Sequence, residues 1–360
     1  MPKKIPATIL TGFLGSGKTT ILNSIINNKL FKNTLVIVNE FGKISIDHHL
    51  IKKKSNDKIV LNNGCLCCSF SGDLVKTLDD TLKLKQKFDN IIIETSGLAD
   101  PVPIIQTLVS DQIISEKIKF NLLVTVVDAV NFQNNYKNHL ENFKQISAAD
   151  ILIISKSDLS SETKLKEIKV NLNKINPHSD VYDKNSLSIQ SLIKLFKKIN
   201  LKKITIDKLI NKTKNNINYL HDHHSEKLNK INSISINYKN KITKEGLKLW
   251  LNALARFKSN NLLRMKGIIK VGRKVILINS VQKVFHEPVY LNKWPFKDKI
   301  SKIIFITKNI EKKEIKKTLS VLSFKQAKKR KKSNLNFSKK DYANFIKSMN
   351  SFDALKALDT

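Results

Sequence analysis

The nine residues GFLGSGKTT, Gly12 to Thr20, leave few folds open to the chain that contains them. They complete the spacing G-x-x-x-x-G-K-[ST], an apolar run from Ile5 to Thr11 precedes them, and a helical pattern follows to about Lys29. A strand that breaks into a glycine turn and restarts as a helix aims successive backbone N–H groups at one point. That point is a helix end that already favours negative charge. Such a turn cradles phosphate. Gly15 and Gly17 permit the curl, Lys18 has the reach for the β- and γ-phosphates of a nucleotide, and the Thr19 hydroxyl suits Mg2+. The candidate nucleotide-binding residues here are Gly12, Gly15, Ser16, Gly17, Lys18, Thr19 and Thr20, with Lys18 also a catalytic candidate.

The rest of the first half agrees with that beginning. TLVIVN (34–39), NIIIET (90–95), LLVTVVDA (122–129) and DILIIS (150–155) read as short buried strands, with amphipathic stretches at 72–88, 138–148 and 161–175 between them. Strands alternating with helices predict an α/β fold with a mostly parallel, doubly wound sheet that binds ligands at the carboxyl ends of its strands. This domain is expected to span 1–202. A polar, Asn- and Lys-rich linker at 203–230 contains HDHH, and a smaller α/β domain at 231–323 has antiparallel hairpins. Its elements are SISINY, a helix at about 243–258, the strands RMKGIIKV, KVILINS and KIIFIT, and a helix from about 311. Residues 324–360 form a basic tail.

Composition narrows the partners. The formal charge is +35, from 65 basic and 30 acidic residues among 360. The lysines are scattered through every segment without an aromatic-laced stripe, which reads as drift in composition rather than a nucleic-acid surface. The exception is KQAKKRKKSNLNFSKK at 325–340. No apolar run reaches bilayer length and no cleavable leader is evident at the start, so a cytoplasmic protein without a membrane partner is expected.

Two further stretches bear on the nucleotide. ISKSDL (154–159) closes a strand where P-loop GTPases carry Asn-Lys-x-Asp. There Asp158 would accept hydrogen bonds from the ring N–H and amino group of guanine, and the stem of Lys156 would lie over the base. An ordinary helix cap is the alternative reading of the same residues. IIIETSGLADP delivers Glu94 to a strand end where GTPases hold a carboxylate near Mg2+, which makes it a Mg2+ and a catalytic candidate. It brings Gly97 to the place of a glycine whose N–H senses the γ-phosphate. A plain strand-end acid is the alternative reading of Glu94.

The segments TGFLGSGKTT, VNEFGKISID, LNNGCLCC, ETSGLADP and SKSD, in this order, resemble the CobW-like GTPases, and LLRMKGII resembles the motif of the CobW C-terminal domain. The resemblance covers about 5–323. It implies a GTPase of the SIMIBI type, slow in turnover, using GTP and Mg2+. Such a protein binds Zn2+ through Cys-x-Cys-Cys and delivers it to a client zinc metalloprotein. The sequence departs from the pattern at Lys43, where a second glutamate is common, at Val60, where an acid is common, and at Ser155, where asparagine is usual. Insertion of cobalt or iron, a nucleic-acid-associated GTPase, and a P-loop ATPase or kinase are the competing functions. Both a monomer and a homodimer across the nucleotide are compatible with the class.

Cys65, Cys67 and Cys68 are the only cysteines. Adjacent Cys67 and Cys68 would bridge only with strain and one thiol would be left over, so the triplet makes a poor disulfide framework. Thiolates suit soft ions such as Zn2+, and three of them leave a fourth coordination place open, which a carrier needs for exchange. Glu40 is the leading fourth ligand, with Asp47 and His48 as lesser candidates. A metal-free buried or redox-active triplet fits less well beside Gly64 and the polar Asn62 and Asn63. His221, His223 and His224 either gather zinc weakly or belong to a solvated loop, and His286 reads as a packing or strand-end residue.

Overall fold

A computed structural model of the chain describes residues 4–31, 33–39, 60–63, 70–83, 88–196, 231–257, 261–286, 288–296 and 298–325, and the chain divides into two compact units between Leu228 and Asn229. The first is built on seven strands: β1 (Ile5–Gly12), β2 (Thr34–Asn39), β3 (Val60–Asn63), β4 (Asn90–Glu94), β5 (Ile118–Asp128), β6 (Ile151–Ser155) and β7 (Asp180–Asp183). They lie in the order β3-β2-β4-β1-β5-β6-β7, every pair parallel. Helices α1 (Lys18–Ile26), α2 (Phe70–Leu82), α3 (Val102–Ser110), α4 (Gln112–Lys117), α5 (Phe132–Asn138), α6 (Leu140–Ala148), α7 (Glu162–Ile175) and α8 (Ile189–Phe196) connect or follow them.

The strand sequences explain the layers. In β5 every residue but Lys119 is buried, as expected of a strand covered on both faces. Alternation then assigns the faces. Leu122, Val124 and Val126 pack in one cluster with Ile21, Leu22 and Ile25 of α1 and Leu192 and Ile193 of α8. Thr125, pointing the other way, donates from Oγ1 to the carbonyl of Gln145 in α6 at 2.9 Å. Because β1 sits between β4 and β5, the connections diverge at its carboxyl end and open a crevice there.

Several boundaries differ from the sequence expectation. The first helix stops at Ile26 rather than Lys29: Asn27 and Asn28, whose side chains compete for backbone groups, end it, and a 3-10 turn at Lys29–Phe31 follows. The helix expected at 72–88 runs Phe70–Leu82. The stretch 138–148 is preceded by a separate α5, because His139 is extended and interrupts the helical path. Strands β3 and β7 were not foreseen. Their sequences, VLNN and DVYD, are short and polar, and the pairing with β2 and β6 rather than periodicity makes them strands.

The second unit is a sheet of β8 (Ile231–Tyr238), β9 (Leu262–Val271), β10 (Lys274–Val281), β11 (Val284–Phe285), β12 (Val289–Leu291) and β13 (Ser301–Lys308). The order is β11-β10-β9-β13-β8, with β12 also on β10, and all pairs are antiparallel. One face carries α9 (Lys244–Phe257) and α10 (Lys312–Thr318). Trp250 of α9 is fully buried there, edge-on to Phe305 with centroids 6.1 Å apart, and its indole N–H donates to Thr318 Oγ1 at 2.9 Å. An aromatic of that size needs such a partner for its one polar atom.

Candidate nucleotide site

The site is assembled from four loops at the carboxyl ends of β1, β4, β5 and β6. In the first, Gly12 lies so close to β5 that a Cβ would run into the carbonyl of Val126, and Gly17 enters α1 in the left-handed region at φ 89°. Lys18 is buried, and its ammonium donates to the carbonyls of Gly12 at 3.0 Å and Phe13 at 3.3 Å. The loop is thus closed on itself by the side chain expected to reach phosphate. The Ser16 hydroxyl is buried with no hydrogen-bond partner among the described residues. An orphaned buried hydroxyl two residues before α1 fits a ligand oxygen.

The Thr19 hydroxyl donates to Glu94 Oε1 at 2.6 Å, 75 residues away in sequence. Glu94 is almost fully buried at the end of β4. A hydroxyl and a carboxylate held at this distance are hard oxygen donors, the set Mg2+ takes, so the residues present fit the ion.

After Glu94 the chain is drawn onto β1. The Thr95 N–H donates to the Leu10 carbonyl at 2.9 Å, and its hydroxyl donates to Thr11 Oγ1 at 2.7 Å. Gly97 is pressed against the phosphate loop: a Cβ there would meet Leu14 N at 2.7 Å and Leu14 Cα at 2.8 Å. From the other side the Gln145 amide donates to the carbonyls of both Gly97 and Ala99 at 3.0 Å. Sequence reasoning passed over Gln145, since a glutamine in an amphipathic helix carries no motif.

The fourth loop departs from expectation in useful ways. Ser155, where asparagine is usual, donates from Oγ to the Ser16 carbonyl at 2.6 Å, so it still fastens this loop to the phosphate loop. Lys156 adopts φ 54°, and its ammonium pairs with Asp128 Oδ2 at 2.7 Å. Burial pushes the Asp128 carboxyl up, but hydrogen bonds from Lys156, Asn131 and the backbone N–H of Val130 outweigh it and hold the group below the usual carboxylate range. Asp158 is exposed, its Oδ1 accepts from Asn185 Nδ2 at 3.0 Å, and that bond is the main reason its acidity is strengthened. Asp183, at the end of β7, accepts from both Ser157 Oγ and the Asn185 N–H, joining the two loops. Asp128, Asp183 and Asn185 were not singled out from sequence, because their role depends on strands that become neighbours only in the sheet.

Glu40, Lys43, Asp47, His48, Cys65, Cys67, Cys68, His221, His223, His224, the linker at 203–230 and the basic cluster beyond Lys325 lie outside the described residues. Among the described residues no group of three or more His, Cys, Asp or Glu could hold a metal ion, and no helix is long and apolar enough to cross a membrane. His286 follows β11, where its ring Nδ1 lies 2.9 Å from Asn279 Nδ2.

A doubly wound parallel sheet, a closed phosphate loop, a Thr19–Glu94 pair and a loop ending in Lys-Ser-Asp together define a P-loop GTPase. Residues 6–183 match the family described as CobW/HypB/UreG, nucleotide-binding domain, and residues 231–322 match the cobalamin synthesis protein cobW C-terminal domain. The chain belongs to this family. The zinc chaperone YjiA of Escherichia coli is 31% identical over 287 residues, covering 78% of this chain and 87% of that one. Zinc-regulated GTPase metalloprotein activator 1 of Schizosaccharomyces pombe is 38% identical over 179 residues, 48% of this chain, and the match spans only 44% of that protein's length. Among solved structures, the Zn(II)-bound YjiA GTPase from E. coli superposes with a TM-score of 0.66 at 24% identity, covering 90% of this chain and 100% of that one, a likeness of fold.

Proposed function

We propose that this chain is a GTP-hydrolysing zinc metallochaperone that takes Zn2+ on Cys65, Cys67 and Cys68 and passes it to a client metalloprotein as the nucleotide is turned over. Support for the nucleotide half is the closed loop at Gly12–Thr20 with its Thr19–Glu94 pair. In this reading Lys18 leaves the loop carbonyls for the β- and γ-phosphates, and the backbone N–H groups of the loop hold the phosphate oxygens in place. Thr19 and Glu94 hold Mg2+, which when bound neutralises charge on the phosphates. Asp158, oriented by Asn185, takes the guanine edge, and Lys156 flanks the base while Asp128 anchors its ammonium. Among the described residues no side chain stands out as a base for the attacking water, in keeping with slow intrinsic turnover.

The observation that carries the coupling is a strand pairing. Asn39, the last residue of β2, is the register partner of Asn63, the last of β3. Glu40 follows the first directly, and Cys65 comes two residues after the second. The two segments proposed as zinc ligands therefore leave adjacent strands at the same carboxyl edge that carries the phosphate loop. A sulfur tripod completed by Glu40 binds zinc as cargo, and exchange proceeds through the weaker oxygen ligand. Relatives named as zinc chaperones support zinc over cobalt or iron. Because the thiolates must stay reduced, the cytoplasm is the proposed compartment, with a client metalloprotein as partner and a homodimer as a further assembly.

The test is to measure zinc affinity and GTP turnover together. Cys67→Ser is expected to abolish tight Zn2+ binding while leaving GTP affinity nearly intact, and Lys18→Ala to abolish hydrolysis while leaving Zn2+ bound. Unchanged zinc affinity in Cys67→Ser, or unchanged hydrolysis in Lys18→Ala, overturns the respective half.

A further inference from the structure

We infer that Gln145 is a positioning residue for the γ-phosphate-sensing loop, and that α6 links this loop to the phosphate loop in addition to the direct packing of Gly97 on Leu14. The inference rests on the GTPase reading above and deepens it. Three contacts along one short helix carry it. At its start, the ring of His139 lies 4.6 Å from that of Phe13, inside the phosphate loop. In its last turns Lys144 pairs with Asp100 at 3.3 Å, and Gln145 donates to the carbonyls of Gly97 and Ala99 at 3.0 Å each.

The Gln145 clamp is specific. The residue is fully buried, both protons of its amide are used on two carbonyls of the same loop, and its Oε1 has no hydrogen-bond partner among the described residues. A buried amide that gives both protons and receives nothing is costly, and an apolar residue of the same size would avoid the cost. Holding the loop is what the arrangement achieves. The helix backbone is itself fixed to the sheet, since the Gln145 carbonyl accepts from Thr125. Its far end is fixed separately: the Asn176 amide donates to the carbonyls of Ile146, Ser147 and Ala149. Helix α6 is thus anchored independently of the clamp, and the Gln145 side chain joins this anchored helix to the carbonyls of Gly97 and Ala99. The Gly97 N–H and the Gly97 carbonyl lie in adjacent peptide units joined at the Gly97 Cα. Turning that N–H toward a γ-phosphate therefore bears on one of the two clamp bonds through the Gly97 φ and ψ.

The experiment compares Gln145→Met, which keeps the volume and removes both donors, with Asn176→Ala, which loosens the same helix away from the loop. Binding of GDP and of a non-hydrolysable GTP mimic is measured for each. Gln145→Met is expected to change the ratio of the two affinities about ten-fold, the loss of one to two buried hydrogen bonds from one nucleotide state. Asn176→Ala is expected to leave the ratio within about two-fold. An unchanged ratio in Gln145→Met, or an equal change in both variants, overturns the inference. Hydrogen exchange on the wild-type chain covers the case of a variant that does not fold. Protection at 97–101 and at 140–148 is expected to change together between GDP and the mimic, and a change confined to one segment counts against it. Failure of the GTPase reading is distinct, since then neither nucleotide binds the wild-type protein.

Discussion

Replacing Gly97 with alanine tests how closely the sensing loop must approach the phosphate loop. The added Cβ would lie 2.6 Å from Leu14 Cδ2, 2.7 Å from Leu14 N and 2.8 Å from Leu14 Cα. Ordinary contact begins near 3.4 Å, so the two loops must part by about 0.7 Å. The leucine side chain can swing aside, but the backbone atoms belong to a loop tied down by Lys18 and Ser155, and they cannot. Overpacking of this kind costs about 1–3 kcal/mol. On the proposed reading, in which Gly97 stands beside the γ-phosphate, the cost falls on the GTP-bound state, so about 2 kcal/mol becomes a loss of roughly 30-fold in affinity for a GTP mimic. GDP, which does not reach that loop, should bind within about three-fold of wild type. Fluorescent-nucleotide titration with both ligands measures the difference. Leu14→Ala in the same chain removes only the side-chain clash and should restore little. Full recovery in the double variant, or equal losses for both nucleotides, would refute the backbone argument.

Two other outcomes follow from the base loop and its support. Asp158→Asn exchanges one of two acceptors for a donor, so GTP should weaken about ten- to hundred-fold while xanthosine triphosphate, which offers an oxygen where guanine has an amino group, gains; equal affinities in a competition assay would remove Asp158 from the base edge. Asp128→Asn should lower stability by about 2 kcal/mol near neutral pH, because a buried carboxylate bound by Lys156 and the 130–131 backbone is replaced. The folded Asp128 carboxyl lies below its ordinary 3.8, so its stabilisation is present above that value and disappears as pH falls through the folded pKa. Melting curves of variant and wild type should therefore converge below about pH 4, and a constant gap down to pH 3 would show that ionisation is not the source.

Local chemistry was readable wherever one stretch of chain contains the whole device. GFLGSGKTT encodes its turn because its glycines, lysine and threonine must sit within a few residues of one another, and the buried strands announce themselves by unbroken aliphatic runs such as Ile91–Ile93 and Ile151–Ile154. The cysteine triplet is also contained in one short stretch, but it lies outside the described residues and its reading as a metal site is a proposal. The tertiary structure decided which groups from distant segments meet. That Thr19 finds Glu94, that Gln145 holds Gly97, and that Asn185 orients Asp158 depend on the strand order β2-β4-β1-β5-β6-β7, and hydrogen bonds of this kind leave no periodicity behind. The same holds for β3 and β7, whose polar residues extend only because a neighbouring strand offers unpaired backbone groups. Sequence sets the residue types, since apolar burial and turn geometry act over a few residues. Contact between loops is set by the closing of the sheet, which brings together partners from 27 residues apart, as in Asn185 and Asp158, to 139 apart, as in Ser155 and Ser16.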